Sequence, residues 1–373
     1  MPLLYEYNIY IYISMPLLYV YHLILLFSLF FTFLILGATE AMHAIGFIKH
    51  GNFLRSEDSI SEQRMADLKE IKKCLSQRLE VCNKEFDSLP LRHATDHKFT
   101  SVLGAGAHSD IGRRADMEDD DLIVDNFGNI PTTGFFALYD GHGGRQTVDF
   151  VVKTLHLNFA QAFEQKKDLP LEDVFKIAYL STDSQLRRRG ITRSGSTAVT
   201  CLLQQEEGKR VLHSANVGDS RAILCRGGRA VRLTIDHKAT LPEEAKRVKD
   251  AGGYIGRNQR VNGILAISRA LGDHMLKDKN NIVSAEPYCK SVELIEEDEF
   301  LILACDGVWD VMTDQDAVDF LLTTYRKHQE DAVKHGLEVD QNRVLTICSQ
   351  GLVQLALQKR TLDNVSVICI KLR

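Results

Sequence analysis

From Phe99 to the C-terminus the sequence is cut into short apolar runs, several of which stop at an aspartate. Gly134–Asp140 (GFFALYD), Arg210–Asp219 (RVLHSANVGD) and Glu299–Asp306 (EFLILACD) end that way. Thr197–Leu203 (TAVTCLL), Arg221–Cys225 (RAILC) and Val365–Leu372 (VSVICIKL) are similar in length and equally rich in aliphatic residues. Runs this short, with many β-branched and aromatic residues, read as buried strands. Between them apolar residues recur at helical spacing over Gln146–Phe163, Leu171–Arg188, Pro242–Ala251, Asp314–His328 and Arg343–Lys359. Strands come in blocks and helices in pairs. Strict strand–helix alternation, the mark of a doubly wound parallel sheet, is missing, so a layered α+β domain is expected.

Composition narrows the function classes. The 373 residues allow one large domain or two ordinary ones. With 45% hydrophobic and 25% charged residues the chain is neither disordered nor collagen-like, nor a many-span membrane protein. Lys+Arg of 45 against Asp+Glu of 50 gives a net charge of −5, which argues against a nucleic-acid partner. The 8 cysteines form no CxxC pair and no cluster with histidine at zinc spacing. They read as reduced thiols in a cytosol-facing protein, cytoplasmic or nuclear.

The N-terminal part differs. Residues 1–41 are apolar and low in complexity, with MPLLY at both Met1–Tyr5 and Met15–Tyr19. Leu17–Leu36 is long enough to span a bilayer as a helix, and Lys49 and Arg55 after it would keep the bulk of the chain in the cytosol. Two readings stay open: a membrane anchor at 17–36, or upstream sequence included before a start at Met42. Residues 42–97 form an extension. Within it Met65, Leu68, Ile71, Leu75, Leu79, Cys82 and Phe86 predict an amphipathic helix over about 59–86, which packs on the main domain or meets a protein partner. Residues 98–373 form the main domain.

The placement of acids within that domain carries the chemistry. Asp140, Asp219 and Asp306 end apolar runs and are each followed by Gly or Ser; Asp363 immediately precedes the last run; Glu118-Asp119 sit in an acidic stretch. Taken singly, such residues read as ordinary turn formers. Together they suit convergence, because strand ends are rigid and several can aim at one point. Carboxylates forced together must share protons or bind a cation. Without a Cys or His cluster, an all-oxygen site for a hard ion such as Mg²⁺ or Mn²⁺ is expected.

The blocks RRADMEDD (Arg113–Asp120), YDGHGG (Tyr139–Gly144), SGSTA (Ser194–Ala198), NVGDSR (Asn216–Arg221), SRALGD (Ser268–Asp273), CDGVWDVM (Cys305–Met312) and DN (Asp363–Asn364) occur in this order. With DHKATLPEEAKRVKDAGGYI (Asp236–Ile255) they resemble the metal-dependent serine/threonine protein phosphatases of type 2C, over about Phe99 to Leu372. The resemblance implies two stacked antiparallel β-sheets flanked by α-helices, an α-β-β-α sandwich with a dinuclear metal cleft at one edge. It implies two Mg²⁺ or Mn²⁺ ions per chain. Asp140 would bridge them, Glu118 and the Gly141 carbonyl would complete one ion, and Asp306 and Asp363 would hold the other. Asp119 would be an outer acid, and Asp219 and Asp310 would hold a weaker third ion. Arg114 would bind substrate phosphate and His142 would be the general acid. Substrates would be phosphorylated proteins, and the chain is expected to act as a monomer.

That residue set suits the reaction. Two ions can share one water and lower its pKa toward neutrality, giving a hydroxide that attacks phosphorus directly. A planar guanidinium can grip two phosphate oxygens. An imidazolium can protonate the departing Ser or Thr oxygen. Weaker signals are set aside. GAGAHS (Gly104–Ser109) lacks the third glycine of a dinucleotide fingerprint and reads as a turn. Asp310–Asp316 lacks the Gly and Glu of a calcium loop. Asn364-Val365-Ser366 is a formal glycosylation site beside an expected ligand. Arg187–Arg189 reads as a solvated helix end, Cys201, Cys225, Cys305 and Cys369 as strand packing, and His237 and His274 as core or surface residues.

Overall fold

In a computed structural model that describes residues 97–166, 168–277 and 280–372, the strand blocks form two five-stranded antiparallel sheets and one small third sheet. The segments 17–36 and 59–86 lie outside the described residues. The strands are β1 (Gly104–Asp110), β2 (Asp120–Val124), β3 (Gly134–Tyr139), β4 (Gly141–His142), β5 (Gly195–Ser196), β6 (Ala198–Glu206) and β7 (Lys209–Val217). There follow β8 (Arg221–Arg226), β9 (Arg229–Arg232), β10 (Leu271–Gly272), β11 (Tyr288–Glu293), β12 (Asp298–Ala304) and β13 (Val365–Lys371). The helices are α1 (Gln146–Gln165), α2 (Leu171–Arg188), α3 (Pro242–Asp250), α4 (His274–Lys277), α5 (Asp306–Trp309), α6 (Asp314–Lys334) and α7 (Gln341–Gln358). One sheet has the order β1-β13-β12-β8-β9, the second β11-β7-β6-β3-β2, and the third β10-β5-β4.

The two-residue period of a strand explains the layering. On β3, Phe135, Ala137 and Tyr139 join Val151, Leu155 and Phe159 of α1 and Phe175 and Tyr179 of α2 in one core. The intervening Phe136 and Leu138 face the other way and meet Leu301, Leu303, Ile368 and Ile370 of the opposite sheet. On that sheet, Phe300, Ile302, Val367 and Cys369 turn outward to α6 and α7, against Leu321, Leu345 and Leu352. Strands buried on both faces therefore read as continuous apolar runs, and the result is the α-β-β-α sandwich. Residues Ala239, Val248, Val261, Ile267, Ala270, Ile282 and Val283 form a separate small core under the segment between β9 and β11.

Some elements differ from expectation. GAGAHS is not a turn but most of strand β1, paired along its length with β13 from Gly104↔Lys371 to Asp110↔Val365. Its glycines let helix α7 lie against the strand: a Cβ on Gly106 would sit 2.2 Å from the Thr346 backbone nitrogen. Helix α6 runs on past His328 to Lys334 through a polar stretch (QEDAVK) that has no apolar rhythm to read. The run ending at Asp219 stops being strand at Val217. Asp310–Thr313 joins helices α5 and α6, and Asp314–Asp316 form the first turn of α6. His237 and His274 are both core residues at 2% exposure, and Asn364 and Ser366 are buried, which closes the formal glycosylation site. No helix among the described residues is long and apolar enough to cross a membrane.

One buried histidine yields a stability prediction. His156 on α1 is 9% exposed, with only the Val152 backbone to offset the burial of its ring. Burial pulls its pKa from 6.5 down to about 4. As pH falls below 6.5 the unfolded chain takes up a proton that the folded protein refuses until about pH 4. Stability is therefore lost as pH falls across that window. His156→Leu is expected to stabilise the protein more at pH 5 than at pH 7.5, as read by urea unfolding. Equal effects at both pH values would contradict a neutral, desolvated imidazole.

Candidate active site

The sheet register brings the acids to one end of the sandwich. Asp120 pairs with Tyr139, so Asp119 and Asp140 lie at the same end of neighbouring strands. Ala304 pairs with Val367, so Asp306, just beyond β12, and Asp363, just before β13, share an end of the other sheet. Ala304 also pairs with Arg221, which brings the Gly218–Ser220 turn and Asp219 alongside. Ligand atoms of Asp119, Asp140 and Cys305 all lie within 4.8 Å of one another. Ser366 Oγ donates to Asp119 Oδ2 at 2.7 Å, and Ser366 N donates to Cys305 Sγ at 3.2 Å.

The crowding sets the electrostatics of the acids. The Asp140 carboxyl is held well above the usual range, first by desolvation and then by the charges of Asp119, Asp306, Asp219 and Asp363. Asp306 is raised in the same way, by burial and then by Asp219, Asp363 and Asp310. Burial pushes Asp119 and Asp219 to about 6. Such a cluster ionises fully only when a cation offsets it. The donors are carboxylate oxygens, and burial keeps the Cys305 thiol protonated and thus a poor ligand. The residues fit hard divalent cations.

Around the acids lie residues with less obvious sequence signals. Asn364 clamps the loop that carries Arg114 and Glu118. Its Nδ2 donates to the carbonyls of Ile111 (2.9 Å) and Asp116 (3.0 Å), and its Oδ1 accepts from Glu118 N at 2.8 Å. Arg145 binds the far side of that loop, through the carbonyls of Met117 (2.6 Å) and Asp119 (3.0 Å) and Asp120 Oδ2 (2.8 Å). Glu118 Oε1 accepts from Gly144 N at 2.7 Å, and Gly141 N donates to the Glu118 carbonyl at 3.2 Å. Arg114 is exposed, with Nη2 at 2.7 Å from Asp363 Oδ2. Lys238 Nζ lies 2.7 Å from Asp310 Oδ1 and 3.6 Å from Asp219 Oδ2.

His142 stands on β4, beside Asp140. Its Nε2 is 2.8 Å from Asp273 Oδ2. Burial alone would lower its pKa, but the Asp273 hydrogen bond and charge raise it above the usual value, helped by Asp219 and Glu118. Sequence reasoning singled out every acid of the cluster but gave no role to Arg145, Lys238, Asp273 or Asn364. Each of them does stand inside or directly beside a quoted motif block, which is the signal that was available.

Comparison with known proteins agrees with this picture. Residues 103–365 match the family profile described as Protein phosphatase 2C. The chain is 35% identical over 292 residues to "Protein phosphatase 2C homolog 1" of Saccharomyces cerevisiae, covering 75% of this chain and 96% of that protein. It is 34% identical over 300 residues to the protein of the same name from Schizosaccharomyces pombe, covering 79% and 80%. Among solved structures, the serine-threonine phosphatase 2C of Toxoplasma gondii superposes with a TM-score of 0.61 at 21% identity, covering 76% of this chain and 98% of that one. A C. elegans sex-determining protein gives 0.65 at 23% identity, covering 88% and 78%. These structural likenesses concern the fold.

Proposed function

The chain belongs to the protein phosphatase 2C family of metal-dependent protein phosphatases, and we propose that its acid cluster hydrolyses phosphoserine and phosphothreonine in proteins with the help of two Mg²⁺ or Mn²⁺ ions. Asp140 would be the shared ligand, Glu118 and the Gly141 carbonyl would serve one ion, and Asp306 and Asp363 would serve the other. Asp119 would order the surroundings of these ligands, and Asp219 and Asp310 would offer a weaker third position. Held by these residues, such ions would lower the pKa of water toward neutrality and so make a nucleophile available at physiological pH.

The chain's own residues do the rest. Arg114 grips phosphate: its fork can keep one nitrogen on Asp363 while others meet phosphate oxygens. His142 protonates the departing Ser or Thr oxygen, a role worth roughly 10²–10⁴-fold. The single observation that carries this reading is the convergence of the acids at one end of the sandwich, where Asp119, Asp306, Asp219 and Asp363 raise the proton affinity of Asp140. Chelation with EDTA is expected to reduce hydrolysis of a phosphothreonine peptide to background, and Mg²⁺ or Mn²⁺ to restore it. Full activity after exhaustive chelation would sink the reading.

The six described cysteines are all free, which supports a cytosol-facing location. An anchor at 17–36 and a partner for 59–86 remain proposals on residues outside the described part.

A further inference from the structure

The smallest sheet among the described residues joins His142 to two segments distant in sequence. In its order β10-β5-β4, His142 pairs with Gly195, and Gly195 pairs on its other side with Gly272. Three segments far apart in sequence thus meet in one row, with Asp273 directly after it. Gly195 is the gap in that row: a Cβ there would lie 2.1 Å from Asp273 Oδ2 and 2.3 Å from His142 Nε2. The imidazole and the carboxylate meet in the space a side chain would fill. Asp273 adopts φ 50, a left-handed conformation that most residues avoid and that Asp and Asn tolerate. Its backbone nitrogen is tied to the Ser194 carbonyl at 3.0 Å. Asp183 steadies the turn from the other side, accepting from Gly272 N at 2.8 Å and from Lys277. Asp273 is buried at 7% exposure while His142 keeps a partly open face.

We propose that Asp273 is the positioning residue for His142. Its carboxylate accepts from Nε2–H, which fixes the ring plane and leaves Nδ1 as the nitrogen that delivers the proton. As the P–O bond breaks, its electron pair stays on the Ser or Thr oxygen, and that oxygen takes the Nδ1 proton. The imidazole is left neutral, still held by Asp273 through Nε2–H. This rests on the reading of His142 as general acid.

The test compares Asp273→Asn, His142→Ala and the double variant in the full chain with saturating Mn²⁺. The substrates are a phosphothreonine peptide, whose leaving group needs a proton, and 4-nitrophenyl phosphate, whose leaving group does not. Asn suits the left-handed backbone and is nearly isosteric, so folding is expected to survive. For Asp273→Asn we expect kcat on the peptide to fall roughly 10- to 100-fold, within the span general acids supply. KM should stay unchanged, and aryl phosphate turnover should hold within about threefold. Adding Asp273→Asn to His142→Ala should cause no further loss. Should Asp273→Asn not fold, a proton NMR resonance of His142 Nε2–H, shifted downfield in the wild type by its carboxylate partner, provides a second reading; its absence would overturn the proposal. Equal losses on both substrates, or a loss that adds to that of His142→Ala, would also overturn it. If His142→Ala itself shows no preference between the substrates, the general-acid reading falls first. If only Asp273→Asn lacks the preference, that reading stands and the positioning role does not.

Discussion

Asp140→Asn is expected to give a protein that melts higher in EDTA and hydrolyses almost nothing in Mn²⁺. Both effects have one origin. The Asp140 carboxylate is desolvated and faces the charges of Asp119, Asp306, Asp219 and Asp363, so in the metal-free protein its ionised form opposes folding. An amide of the same shape removes that repulsion. Each kcal/mol gained would lift Tm by roughly 2–4 °C in a domain of this size. The same amide cannot supply the anionic oxygen that two cations would share. Changing residues that merely support metal ligands already costs about 10–100-fold, so loss of the shared ligand should exceed about 100-fold. Differential scanning fluorimetry in EDTA and peptide hydrolysis in Mn²⁺ test the pair of effects. A variant that is active, or one that melts lower without metal, would contradict the proposed role of Asp140.

The second large effect is structural. Glu244 on α3 is 3% exposed. Its Oε1 accepts from Arg269 Nε at 3.0 Å and Nη2 at 2.6 Å, and its Oε2 accepts from Ser268 Oγ at 2.6 Å and Arg247 Nε at 2.9 Å. The residue joins the helix to the chain that leads into Leu271–Asp273. Glu244→Ala should cost about 3 kcal/mol, the lower end for breaking a buried pair, since both arginines keep some access to water. That corresponds to a Tm lower by roughly 6–12 °C. The exposed Glu243→Ala should stay within about 0.5 kcal/mol of the wild type. The effect must also depend on pH. These partners hold the Glu244 pKa at about 2 against an ordinary 4.5. Its stabilisation is complete above about 4.5 and is lost as pH falls toward 2. The gap between wild type and Glu244→Ala should therefore narrow below pH 4.5 in urea unfolding. A constant gap would mean that packing, not charge, is what the variant loses.

Much of this was legible in the sequence for a physical reason. Strands buried on both faces must be apolar throughout, and so β3, β12 and β13 stood out. Helix α2 was readable from end to end because its apolar face repeats in Val174, Phe175, Ala178, Tyr179 and Leu186. Strand β1 was not readable: Gly, Ala, His and Ser carry no strand signal, and its state is imposed by β13 on one side and α7 on its face. Strands β9 (RAVR) and β11 (YCKSVE) are edge strands with half-exposed polar residues, and their patterns are weak. The site divides along the same line. Aspartates at the ends of apolar runs advertise themselves. The partners of His142 and Glu118 do not, because register between strands chooses them: Asp273 is 131 residues from His142, and Asn364 is 246 from Glu118. Cys305 was read as packing, and it is packed, but its sulfur also lies among the acids.

The place of β13 bears on how this protein comes to be made. The last strand in sequence is not an edge of its sheet; it lies between β1 and β12, and Asp363-Asn364 lead straight into it. A chain growing on the ribosome carries β1, β12 and most of the acids well before the strand that joins them. Until residues 363–371 emerge, β1 lacks the strand it pairs with, the loop bearing Arg114 and Glu118 has no Asn364 to clamp it, and one proposed ligand is missing. In the order of synthesis, closure of the sheet and completion of the acid cluster therefore come together.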